Sequence, residues 1–285
     1  MMKPKKVITL LSIFCCLISY GQQSIRVNYA FLYKGSPEQK NYRTCMDMML
    51  DFSMNESVFY SEASFLHDSL SRHACDEYGN VINEEEWSKV NGLSNSSFNH
   101  TYHISFSNMT YDVYRKYMSN VFLGENGILS FPEWTISEET NELFGYSVRK
   151  ATAQYMGRNW TVWFTEEIPV PGGPWLLWGC PGLIVFAIDE DKLFNFYILG
   201  EQEIAKNRWP YLKEYYARAN SQVQHLSIKE EEAIKCRAER DFEYHIQLLG
   251  GMPGGVLRDR DGNAIKTPSL SFEPLIPESF WKKKK

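Results

Sequence analysis

The chain has 285 residues, of which 44% are apolar and 15% aromatic, and 35 acidic against 30 basic side chains give a formal net charge of −5. That balance excludes a polycationic nucleic-acid binder and a disordered chain, since the first needs a basic surface and the second a shortage of apolar residues. The aromatic share favours strands, because rings pack well on a pleated surface.

Met1-Met2-Lys3-Pro4-Lys5-Lys6 precedes an apolar run over 7–19 and the boundary Tyr20-Gly21. A basic head, an apolar stretch short for a bilayer, and such a boundary mark a secretory leader. We therefore expect a signal peptide at 1–21 and a single β-rich domain over 22–285 with a basic tail at 282–285. Removing Lys3, Lys5 and Lys6 takes the formal charge from −5 to −8. The expected location is the periplasm or cell envelope, with no transmembrane span after cleavage and no nucleic-acid partner. Cys45, Cys75, Cys180 and Cys236 remain, and an oxidising compartment permits three disulfide pairings among them. Their spacing does not fit a CxxC redox or zinc motif.

Period-two alternation at Ile25, Val27, Tyr29, Phe31 and Tyr33, and again at Met48, Leu50, Phe52 and Met54, predicts two strands. Ala63, Leu66 and Leu70 have helical spacing, and the polar stretch up to 97 reads as a surface excursion. Strands are expected over 101–107 and 120–123, where Glu125-Asn126-Gly127 suits a tight hairpin leading into 128–131. Two more flank Met156-Gly157-Arg158, at 145–155 and 159–165. In the second, Trp160, Val162 and Phe164 face opposite to Thr161, Trp163 and Thr165. A further hairpin joins 183–188 to 193–199 through Asp189-Glu190-Asp191-Lys192. Ser227-Ile228-Lys229-Glu230 is a capping box that opens a helix at about 228–249, and Asp259-Arg260-Asp261-Gly262-Asn263 forms a turn.

Gly145-Tyr146, Lys150-Ala151, Gly157-Arg158, Trp160, Trp163, Pro169, Gly173-Pro174 and Gly179-Cys180-Pro181-Gly182-Leu183-Ile184 together resemble the exported bacterial GLPGLI family. The resemblance is tight over 145–189 and looser at Ser57-Val58-Phe59-Tyr60 and near Ser227. Cys180 stands where the name-giving motif has leucine, and Val148 where many members carry a cysteine. What the resemblance implies is export and a mostly β structure, with no catalytic residue to carry over.

The Pro and Gly residues of 171–184 allow several turns close together, and Pro181-Gly182 suits the centre of a type II turn. Trp175, Leu176, Leu177 and Trp178 then either pack beneath the turns or form an apolar binding lip. Cys180 reads as a buried apolar residue or as a nucleophile needing a distant imidazole. His67, His73 and Cys75, and separately His100 and His103, offer metal-ligating atoms without a recognised spacing; in a strand the last two face opposite sides. Glu166-Glu167 read as solvated or paired with a cation such as Arg158.

The expected fold is mainly β: a curved antiparallel sheet or half-barrel with one or two helices covering its concave face. The expected function is non-catalytic binding of an apolar small molecule or an envelope protein, with Trp175, Trp178, Trp163 and Arg158 as ligand-binding candidates and no cofactor. The alternatives are an envelope hydrolase or metal-dependent enzyme using Cys180 or the histidines, and a structural envelope component.

Overall fold

The computed structural model describes residues 24–34, 37–76, 80–93, 98, 100–117 and 120–218. The expected leader, the helix at 228–249, the turn at 259–263 and the lysine tail lie outside them. The described strands are β1 (Ser24–Tyr33), β2 (Arg43–Phe52), β3 (Glu56–Ser61), β4 (His100–Ser105), β5 (Thr110–Tyr117), β6 (Asn120–Ile128), β7 (Thr135–Leu143), β8 (Tyr146–Tyr155), β9 (Arg158–Thr165), β10 (Leu183–Asp189) and β11 (Phe194–Ile204). They form one open sheet in the order β6-β5-β4-β3-β2-β1-β11-β10-β9-β8-β7, antiparallel at every pair. The helices are α1 (Glu62–Ala74), α2 (Glu84–Gly92) and α3 (Trp209–Arg218).

The expected curvature follows from three rings. Tyr102 on β4 and Trp160 on β9 stand six strands apart in the sheet, which in a flat sheet would be roughly 29 Å. Both nevertheless meet the ring of Trp175, at 6.3 and 5.4 Å between centroids. The sheet therefore curls around the segment between β9 and β10, and this segment fills its concave side. Phe31, Phe59, Phe164, Phe194, Phe196, Leu176 and Leu177 complete that buried interior.

The late helix expected as cover, at 228–249, lies outside the described residues, and helices α1 and α3 lie on the face opposite this interior. Alternation decides it: Phe59 faces the interior, whereas Val58 and Tyr60 pack with Trp209 and Leu212 in a separate cluster that also takes Met49, Phe65 and Tyr114. Ser61 caps α1 by accepting from the Ser64 N–H at 3.1 Å, and Asp47 on β2 accepts from the Ala63 N–H at 3.0 Å, which pins the helix start to the sheet. The polar excursion contains α2, capped by Asn83 and opened by Glu84, Glu85 and Glu86 beside the positive end of the helix.

Two turn expectations are corrected. Asn126-Gly127 lies inside β6, and the Tyr111 ring crosses Gly127 so closely that a Cβ would stand 2.7 Å from it. The glycine thus makes room for a ring, not a hairpin. Two-residue hairpins occur instead at Phe144-Gly145 and Met156-Gly157, where both central residues have positive φ. Gly182 has no positive φ, as a type II turn would require; its need for glycine comes from the Thr165 backbone lying against it.

Among the described residues no helix is long and apolar enough to cross a membrane.

Candidate functional site

The interior segment is built from turns that lock onto the sheet. Gly179 N–H donates to Pro171 O at 2.9 Å, Ile184 N–H to Gly172 O at 2.9 Å and Leu183 N–H to Ile168 O at 3.0 Å. Leu177 N–H closes a turn on Pro174 O at 3.1 Å, with Trp175 at its first central position and φ of 58°. Glycine normally holds that position, so packing of the indole must offset the backbone strain. Burying an indole of this size contributes roughly 4–6 kcal/mol before entropy is counted. The Tyr29 hydroxyl, fully buried, donates to Ile184 O at 2.6 Å and ties the start of β10, where the segment ends, to β1.

The four binding candidates do not converge. Trp175 is 1% exposed and sits inside, with Leu176 and Leu177. Trp178 is half-buried at the rim, between Phe106 at 5.4 Å and Phe131 at 5.0 Å, while its carbonyl accepts from the Trp134 indole at 2.8 Å. Trp163 points to the convex face. Arg158 is buried at the β8–β9 hairpin, where it donates to Asp189 at 3.1 Å and lies over the Phe194 ring. Burial pushes the Asp189 carboxyl up from its ordinary value, against the Phe194 and Leu193 N–H groups and the Arg158 charge. This pair closes the β10–β11 hairpin. Glu166 takes Arg149 as its cation, not Arg158.

Cys180 is 1% exposed, and burial pushes its thiol up from the ordinary value. A thiol held protonated by apolar surroundings is not an activated nucleophile. No two of Cys45, Cys75 and Cys180 are bonded to each other, and Cys236 lies outside the described residues.

His100 and His103 face opposite sides, as strand geometry requires. His100 reaches the Tyr102 hydroxyl, whereas His103 meets Asp112 through Nδ1 at 3.3 Å and Glu56 through Nε2 at 3.4 Å. Burial pushes His103 down, but the hydrogen bonds to the two carboxylates outweigh it and leave the imidazole raised above its ordinary value. Glu56 is lowered, chiefly by the hydrogen bond to His103 and further by Asn207. An imidazole donating from both nitrogens has no lone pair for a metal. Among the described residues no group of three His, Cys, Asp or Glu side chains is arranged to hold a metal ion.

No protein-family model and no curated protein matches this chain. The chain is similar to the solved structure of PNGF-II in two crystal forms. In space group P21 the TM-score is 0.45 at 15% identity, over 74% of this chain and 32% of that one. In space group C2 it is 0.44 at 15% identity, over 72% and 31%. It is also similar to an uncharacterized conserved protein from Thermus thermophilus, with a TM-score of 0.40, 8% identity, and coverage of 76% and 99%. The aligned region thus spans about a third of PNGF-II. Likenesses this distant carry no argument about function.

On the convex face over β8 to β11 several apolar groups reach solvent side by side. Lys150, Trp163, Phe186 and Tyr197 stand directly opposite one another on successive strands and make one row across the sheet. Phe144, at the β7–β8 turn, reaches over to stack on Tyr197 at 5.8 Å and 13°, and the Tyr146 hydroxyl donates to Glu201 at 2.5 Å. Met46 extends the row, its sulfur 4.0 Å from the Tyr197 hydroxyl. Phe144, Met46 and Leu199 are 48%, 50% and 43% exposed. Two carboxylates flank the row, Glu139 paired with Lys150 and Glu201 accepting from the Tyr146 hydroxyl. Sequence reasoning reached Trp163 alone, because the row exists only once strand register is known.

Proposed function

We propose that this chain is a non-catalytic binding protein of the bacterial cell envelope, and that it engages a protein partner through the convex aromatic row rather than an apolar molecule through its interior. The observation that carries this reading is the filled concave side: Trp175, Leu176 and Leu177 occupy the space that a small apolar ligand would need. A row of solvent-reaching apolar groups, with Phe144, Met46 and Leu199 about half exposed, lies on the other face and fits a partner that presents apolar side chains of its own. The leader supports export, and the resemblance of 145–189 to the GLPGLI family supports the same compartment. Buried Cys180 and doubly bonded His103 weigh against the hydrolytic and metal-dependent readings.

The test replaces Phe144, or in a second variant Leu199, with a photoreactive phenylalanine analogue in the native envelope, with exposed Ile128 as the control position. Support is a protein adduct of one defined mass at both row positions, absent at Ile128 and lost when Tyr197→Ala is added. Absence of an adduct at both row positions, or retention of a small apolar molecule by the purified protein in native mass spectrometry, overturns the reading.

A further inference from the structure

Three consecutive residues ahead of and within the first turn of α3 each hold a different part of the convex face, away from the aromatic row. The Asn207 amide donates to Glu56 Oε1 at 2.8 Å. The Arg208 N–H donates to buried Asp51 at 2.8 Å; its guanidinium donates to the Tyr60 hydroxyl at 3.2 Å, pairs with Glu62, and lies 4.1 Å over the Phe65 ring. Trp209 stacks on His103 with 3.7 Å between ring centres and 9° between planes, and Tyr114 flanks the indole at 5.6 Å.

We propose that Asn207-Arg208-Trp209 is a releasable strap whose seating on the sheet is set by the charge of His103, so that it uncovers the apolar patch of Val58, Tyr60 and Phe65 when His103 loses its proton. The coupling runs through two contacts. Glu56 grips His103 Nε2 with one carboxylate oxygen and Asn207 with the other, so the strap and the imidazole share one anchor. The ring face meets Trp209, and an imidazolium is attracted to an indole face more strongly than a neutral imidazole is.

As imidazolium, His103 donates to Asp112 and Glu56 together. As neutral imidazole it donates to one, and its remaining lone pair then opposes the other carboxylate. Both carboxylates sit in strand register, Asp112 opposite His103 and Glu56 opposite Ser105, but Glu56 is the one that also holds Asn207, so the change at Nε2 reaches the strap through Glu56. The charged and titratable groups around the imidazole are Glu56 from β3, Asp112 and Tyr114 from β5, and Arg208 and Lys213 from the strap and α3. None of these is a second histidine that would titrate beside it. The raised imidazole places the release above the ordinary histidine value of 6.5.

The experiment is hydrogen exchange of the full chain across pH 5–9, corrected for the intrinsic exchange rate, comparing peptides over 206–213 with peptides over β9 and β10. Ring-proton NMR of His103 is recorded in parallel. Protection of 206–213 is expected to be level below the ordinary histidine value of 6.5, to fall by up to about tenfold per pH unit, the slope of one proton, as pH rises from there through the His103 midpoint, and to level off above it. The β9 and β10 peptides stay level. His103→Gln removes the dependence, and Asp112→Asn moves it to lower pH. Level protection in the wild type, or an unchanged dependence in His103→Gln, overturns the proposal. If His103→Gln fails to fold, Asp112→Asn decides, and a transition that does not move overturns it.

Discussion

Gly182 lies so close beneath the carbonyl of Thr165 that a Cβ at this position would overlap the oxygen and stand 2.6 Å from the carbonyl carbon. The neighbour is backbone in the middle of the sheet, so it cannot swing aside as a side chain would. Gly182→Ala is therefore expected to cost about 3 kcal/mol or to prevent folding. Gly200→Ala, where a Cβ meets nothing within 4 Å, is expected to change stability by no more than about 0.5 kcal/mol. Urea unfolding of both variants checks the contrast.

Trp175 and Trp163 separate packing from recognition. Trp175→Ala empties the centre of the curled sheet and is expected to lower stability by about 3–5 kcal/mol. Trp163→Ala, on a half-exposed face, is expected to cost about 1 kcal/mol while abolishing the photo-adduct at Phe144. A Trp163→Ala protein that is as unstable as Trp175→Ala would make the row a structural element.

The buried Arg158–Asp189 pair predicts a specific non-additivity. Arg158→Met leaves a buried carboxylate beside Phe194 with only backbone donors, and is expected to cost about 3–5 kcal/mol. The double variant with Asp189→Asn should recover much of that loss, since no uncompensated charge remains. Chemical denaturation of the two single variants and the double variant gives the coupling directly.

His103 and Glu56 give opposite pH signs. His103 is raised, so its stabilisation is complete below 6.5 and is lost as pH rises through its folded-state value. Glu56 is lowered, so its contribution is present above 4.5 and is lost as pH falls through its folded-state value. The pair contributes most between those two values. Melting temperature against pH should fall on both sides of this window in the wild type, and the alkaline fall should flatten in His103→Gln.

Cys180 should be inert to thiol reagents in the folded protein and react only on unfolding, because burial holds its thiol protonated and out of reach. Partly exposed Cys75 should react first. Timed alkylation followed by peptide mass analysis distinguishes the two. Rapid native labelling at Cys180 would return the thiol to consideration as a catalytic group.

Local pattern alone specified a good deal. Alternation at Ile25 to Tyr33 located β1, because a buried face imposes its period on the residues that form it; the spacing of Ala63, Leu66 and Leu70 fell within α1, although Leu66 is exposed and Phe65 is the side chain that packs on the sheet. The strands β3, β5 and β7 were less legible: β3 is buried on both faces and lacks alternation, and β7 is an exposed edge. Asn126-Gly127 misled because a glycine that admits the Tyr111 ring is indistinguishable, in sequence, from one that turns the chain.

By itself, then, the sequence determined a β-rich fold and a Pro- and Gly-punctuated segment that enters a central strand. Only the tertiary structure decided that this segment is the filling of the sheet and that α1 and α3 sit on the other face. It alone brought Glu56, His103, Asp112 and Trp209 together. The reason is physical: periodicity reports whether a residue has a buried face, whereas curvature and register set which buried faces meet, and those depend on strands far apart in the chain.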